Sequence, residues 1–182
     1  MKKINWDNVE AAGEFQSIKP GGYVGKIFTA VDKPDKEYIE MCIDIAEGEY
    51  KNYYSDLAKE KDFWALKLYR SYKESALGFF KSFKNHVEAS NPGYAFDDDE
   101  KTLVDKYIGI ILQEEDYIKN DGSVGTRIKI ARTLPIADIR AGNFKVPMKK
   151  ELEQTEAPKP TSAPKNVWGN VDDSENGTPF NQ

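Results

Sequence analysis

Two stretches of this chain interleave flat rings with cations. The first runs through Tyr53, Tyr54, Phe63, Trp64, Lys67, Tyr69, Arg70, Tyr72 and Lys73; the second sets Arg127 and Lys129 opposite in phase to Ile128 and Ile130. Rings stack on any nucleobase at roughly 1–3 kcal/mol per base, and cations neutralise phosphates. Together they supply the chemistry needed to grip an unpaired polynucleotide. Lys26 and Phe28 add a third group, expected to share one face of a strand whose other face carries Tyr23 and Ile27. The expected contacts are Lys26, Lys67, Arg70, Arg127, Lys129 and Arg132 on phosphates and Tyr53, Trp64, Tyr69 and Tyr72 against bases, with Phe28 counted in the same interface. Such a role makes and breaks no bond, so neither a catalytic residue nor a cofactor is expected.

Other chemistry is weakly supported. Asp97-Asp98-Asp99-Glu100 could serve a metal-dependent nuclease, yet consecutive acids more often form a solvated loop, and the distant carboxylates of a two-metal site have no recognisable spacing. Gly21-Gly22-Tyr23-Val24-Gly25 leads into a strand, not into the helix N-terminus that a phosphate loop requires. His86 is the only imidazole and has no nucleophile motif beside it. One cysteine, Cys42, allows no internal disulfide and fits a reducing compartment; with a single histidine it makes a zinc site a poor reading. Cys42 lies in an apolar alternation and is expected in or near the core.

The elements that must position these groups follow from periodicity. Residues 1–20 are a lead-in with apolar anchors Ile4, Trp6, Val9 and Phe15. A strand is expected over Tyr23 to Val31, and a second where Ile39, Met41, Ile43 and Ile45 alternate with polar or small residues. Tyr50 to Tyr54 reads as a continuation of the same meander. Phe63 to Tyr72 is ambiguous between strand and helix. Ser75 can cap a helix running to Ser90, with Ala76, Phe79, Phe80, Phe83 and Val87 on one core-facing stripe, stopped by Asn91-Pro92-Gly93. A hairpin closes the body: Tyr107 to Tyr117, a turn at Asn120-Asp121-Gly122, and Thr126 to Thr133. The sum is a mainly β body with one helix over residues 21–150. That order suits a five-stranded Greek-key barrel of the oligonucleotide-binding (OB) type, and an α+β sheet with one covering helix would give the same pattern.

Net charge over the 182 residues is −5, which by itself disfavours a nucleic-acid binder. The distribution matters more. Lys119 to Lys150 holds eight bases against two acids, and Lys61 to His86 six against two, so local positive potential is available. Residues 151–182 differ in kind. Pro158, Pro160 and Pro164 punctuate a stretch that cannot build a core, and from Asn166 onward the chain carries Asp172, Asp173, Glu175 and Phe180 with no base. This region is expected to be a disordered Pro-rich linker with an acidic tip, able to compete with phosphates for the body's cations. Val167-Trp168-Gly169 and Pro179-Phe180 are odd in a mere solubility tail and suggest a docking peptide for partner proteins. No apolar run is long enough for a signal peptide or a membrane span, so a cytoplasmic protein without membrane contact is expected.

With body and tip in view, the chain resembles a small single-stranded DNA-binding protein from a phage of Gram-positive bacteria. The resemblance rests on Pro20-Gly21-Gly22-Tyr23-Val24-Gly25-Lys26-Ile27, on Ile43-Asp44-Ile45-Ala46-Glu47-Gly48-Glu49-Tyr50-Lys51, on Ile110-Ile111-Leu112-Gln113-Glu114-Glu115-Asp116-Tyr117 and on the acidic tip ending in Pro179-Phe180. It implies a protein that coats single strands in the host cytoplasm during phage DNA replication and recombination, recruiting replication or recombination proteins through Asp172, Asp173, Glu175 and Phe180. The tip departs from the bacterial pattern in that Asn181 and Gln182 follow Phe180, so docking would rest on the ring and the upstream acids. Rival readings are a protein-binding or DNA-mimicking inhibitory module, a metal-dependent nuclease and a strand-annealing mediator. The sequence leaves open the oligomeric state (a dimer included) and the choice between DNA and RNA.

Overall fold

Alternation decides the architecture. In β2, Tyr38–Ile45, the side chains of Ile39, Met41, Ile43 and Ile45 are buried, while Tyr38, Glu40, Cys42 and Asp44 point to the other face. The computed structural model describes Lys3 and residues 17–152. Around β2 it builds a mainly β body: β1 Gly21–Lys33, β3 Lys67–Ser71, β4 Tyr107–Ile118 and β5 Val124–Leu134. The five strands form one open antiparallel sheet in the order β3-β2-β1-β4-β5. Among the described residues three α-helices accompany it, α1 Tyr53–Lys61, α2 Leu77–Ser90 and α3 Ile136–Ala141, where the sequence suggests only one.

The core lies on the Ile39–Ile45 face. Ile27 of β1, Ile108, Ile110 and Leu112 of β4, Leu68 of β3 and Ile130 of β5 join it, and α2 closes it with Phe83 and Val87, both fully buried. Each such side chain removed from water contributes about 1.5–3 kcal/mol. The expected α2 stripe is real but narrower than its spacing suggests. Phe83 and Val87 are enclosed and Phe80 packs beside them, whereas Phe79 is 76% exposed. α2 starts after a short 3₁₀ turn at Glu74–Ala76, and Ser75 makes no capping bond.

α1 replaces the expected strand at Tyr50 to Tyr54. Nothing local caps it: Asn52 stands at its N-terminus with φ +62° and no side-chain bond. The cap comes from β2. Asp44 Oδ1 accepts from the Tyr54 N–H (2.9 Å) and Asp44 Oδ2 from the Ser55 N–H (3.1 Å), while Oδ1 also accepts from its neighbour Ile45. First-turn amides of a helix have no intrahelical acceptor, so a buried carboxylate delivered by a strand can start the helix where propensity does not.

The second face of the sheet is covered at one end. α3 lies over β4 so closely that a Cβ on Gly109 would stand 2.6 Å from Ile139 and 2.7 Å from the Leu134 carbonyl. At the other end the segment Met148 to Lys150 lies along β4. Lys150 N donates to Glu114 O (2.8 Å) and Asp116 N donates to Lys150 O (2.9 Å). No helix among the described residues is long and apolar enough to cross a membrane. The acidic tip, with Asp172, Asp173, Glu175 and Phe180, and most of the N-terminal lead-in lie outside the described residues.

Candidate nucleic-acid interface

Register fixes which side chains share the second face. Cys42 pairs with Lys67 and Glu40 with Tyr69, so Lys67 and Tyr69 project there from β3. On the far side of the sheet Gln113 pairs with Lys129 and Glu115 with Arg127, which places both cations on that face from β5. Arg132 would be out of phase with them. A bulge in β5 between the Ile111 and Leu112 pairings leaves Ala131 as an extra residue and restores Arg132, opposite Ile111, to the same face.

β3 and β5 are the two edges of the sheet and share no ladder, yet they flank one cleft. It holds about 270 Å³ and is lined by Ala65, Leu66, Lys67 and Tyr69 on one wall and Arg127, Ile128 and Lys129 on the other. Tyr69 is 51% exposed, its ring meeting Tyr38 edge-on at 5.7 Å. The arrangement offers one flat ring and three cations within a single open concavity. Cys42, on the same face, is half-buried.

Each cation is held by a carboxylate. Lys67 Nζ pairs with Glu40 (2.8 Å), whose hydrogen bond raises the lysine's pKa. Glu115, only 7% exposed, receives Arg127 (2.6 Å), Lys129 (3.1 Å) and Lys150 (3.5 Å). The Arg127 hydrogen bond, with Lys129 adding to it, holds the Glu115 carboxyl down at about 2. Three cations on one buried acid leave a surplus of positive charge facing solvent, and Arg127 also lies over the Tyr117 ring at 5.2 Å. Lys149 pairs with Asp116 at 2.8 Å. Glu115, Lys149 and Lys150 were not among the residues expected from sequence. The register of a paired hairpin, with Glu115 opposite Arg127, could have pointed to Glu115; Lys149 and Lys150 come from outside the hairpin and carry no such signal.

Other expected residues sit elsewhere. Arg70 is half-buried on the core side of β3, its guanidinium 5.7 Å from the Phe83 ring centroid and its Nε enclosed without a hydrogen-bond partner. Burial pulls its pKa down. Strand alternation separates it from Lys67 and Tyr69, so it cannot contribute to the cleft. Tyr72 also turns to the core side, where its hydroxyl donates to Asp32 (2.9 Å). Tyr53 belongs to α1, in edge contact with Tyr50 and Tyr54. Lys26 does lie on the cleft's face of the sheet, but pairs with Asp105 (2.7 Å). Phe28 is the extra residue of a β1 bulge between Ile27 and Thr29, so it does not simply alternate with Lys26. Its half-exposed ring stacks on Trp64 at 4.7 Å, and Trp64 Nε1 donates to Ile43 O (3.0 Å). The pair stands next to the cleft, since Ala65 and Leu66 follow Trp64. Arg132 is tied back to the Lys145 carbonyl (2.7 Å).

The alternative chemistries find little geometry. Asp99 caps a short 3₁₀ turn, accepting from the Lys101 N–H at 3.0 Å. Among the described residues no group of three or more His, Cys, Asp or Glu side chains could hold a metal ion. His86 is half-buried against Thr133 (3.0 Å), and burial followed by the Arg70 charge lowers its pKa. Compared with protein-family models and with curated proteins, the chain matches none.

Proposed function

We propose that the body binds single-stranded DNA without sequence preference, laying the strand through the β3–β5 cleft. The carrying observation is the convergence of Lys67 and Tyr69 with Arg127 and Lys129 from the opposite edge of the sheet. Phosphates meet Lys67, Arg127 and Lys129, with Arg132 and Lys150 as outer contacts, while bases stack on Tyr69 and on the Phe28–Trp64 pair beside it. The strand order β3-β2-β1-β4-β5, with both edges lining one cleft, supports reading the sheet as an OB-type barrel left unlaced between its edge strands. In this reading the protein coats exposed strands during phage DNA replication and recombination in the host cytoplasm, as a binding protein and not an enzyme. The acidic tip competes for the same cations and docks replication or recombination proteins.

Tryptophan fluorescence tests the interface. In a Trp6→Phe/Trp168→Phe background Trp64 alone emits, and single-stranded oligonucleotide should quench it while duplex of the same length should not. Unchanged emission together with no gel shift on single strands would sink the proposal. Deleting Asn166 to Gln182 should tighten strand binding; equal affinity would remove the competing role of the tip.

A further inference from the structure

A second cleft, of about 340 Å³, opens on the core side of the sheet, where Asp32 pairs in register with Ile39. Its floor is apolar and aromatic: Ile39 with Phe80 and Phe96, whose rings lie 6.0 Å apart, and Tyr72 edge-on to Phe80 at 6.5 Å. Leu77 forms one wall and is 49% exposed at the start of α2, with Phe79 more exposed still on the same turn. The rim has a single sign. Asp32, Asp98 and Glu100 line it, and no lysine or arginine does. Glu37 is close by, its carbonyl accepting from the Tyr72 N–H. Burial, the Asp32 hydrogen bond and the field of Glu37 and Glu100 together push the Tyr72 phenol above its ordinary pKa.

From this complementarity we infer that the cleft docks a cationic peptide segment of a partner protein, an aliphatic or aromatic anchor flanked by Lys or Arg. The anchor enters between Leu77, Tyr72 and Phe80, and the flanking cations meet Asp32, Asp98 and Glu100. A polynucleotide is excluded, because three carboxylates around an apolar floor repel phosphates. The inference stands apart from the strand-binding reading. The two clefts lie on opposite faces of the sheet, so a peptide and a single strand can be held together.

The test uses the full chain and a labelled probe peptide, Gly-Ser-Lys-Lys-Leu-Lys-Lys-Ser-Gly, followed by fluorescence anisotropy. Saturable binding is expected, weakened about tenfold when the probe's Leu becomes Ser and abolished when its Lys residues become Glu. Asp98→Asn with Glu100→Gln should weaken the probe about tenfold while leaving single-strand affinity unchanged; Asn suits the left-handed backbone of Asp98, at φ +68°. Leu77→Ala, at an exposed position, should weaken it severalfold without unfolding the chain. No saturable binding, or binding indifferent to the Leu anchor or to both variants, overturns the proposal. So does sedimentation showing self-association that Leu77→Ala abolishes, since a second copy would then be the occupant.

Discussion

Arg127 reaches a single oxygen of Glu115 with two donors, Nη2 at 2.6 Å and Nε at 3.0 Å, from directly across the β4–β5 ladder. Lys129 and Lys150 share the other oxygen. One acid thereby aligns three cations that would otherwise repel one another. Because the Glu115 pKa falls from 4.5 to about 2, its contribution to stability is complete above the unfolded value and disappears as pH drops through the folded one. Linkage puts the ceiling at about 3 kcal/mol, and solvent around the half-exposed cations brings it nearer 1–2 kcal/mol. Glu115→Gln should therefore be less stable than the parent at neutral pH, with the difference vanishing between about pH 5 and pH 2 in urea titrations. The same variant should bind single strands a few fold more tightly at low salt, since it removes a competing anion.

Strand affinity should fall with salt at a log–log slope near −3.5, from three cleft cations and the two outer ones at roughly −0.7 each. Arg127→Gln and Lys129→Gln should each reduce that slope by about 0.7 and weaken binding to all sequences alike. Arg70→Met should leave affinity within about twofold, because the residue faces the core. It should also be at least as stable as the parent, an apolar side chain replacing a half-buried guanidinium whose enclosed Nε has no acceptor. Filter binding across a salt series and chemical denaturation measure both.

Asp44→Ala strips two amides of α1 of their acceptor. A loss of about 2–3 kcal/mol is expected, with hydrogen exchange at Tyr54 and Ser55 accelerating ahead of that in the sheet.

Gly109→Ala pushes a methyl group against Ile139 and the Leu134 carbonyl. Backbone on one side cannot give way, so a loss of about 1–3 kcal/mol is expected in thermal melts, with α3 displaced.

Strand parity was readable wherever side chains alternated cleanly. Ile39 to Ile45 and the late hairpin carry the pattern openly, and Arg127 and Lys129 face solvent because Ile130 must be buried beside the partly buried Ile128. The same parity, applied through Lys67 to Ser71, separates Arg70 from Lys67 and Tyr69, a distinction lost when the segment is treated as one cluster. Two departures have no local signal. The bulges at Phe28 and Ala131 change phase without Gly or Pro to mark them. α1 is masked by its own tyrosines, since the group that caps it is nine residues earlier in the chain and on another element.

The contact of Lys150 with β4 reaches beyond the cations it assembles. β1 pairs with β4 only as far as Leu112, so Gln113 to Ile118 would show a bare row of amides and carbonyls to any passing chain. The Met148 to Lys150 segment occupies that row at Glu114 and Asp116 and adds charge at the same spot. A protein cut before Met148 would keep its core yet acquire an adhesive flank, inviting strand-to-strand stacking between molecules at high concentration.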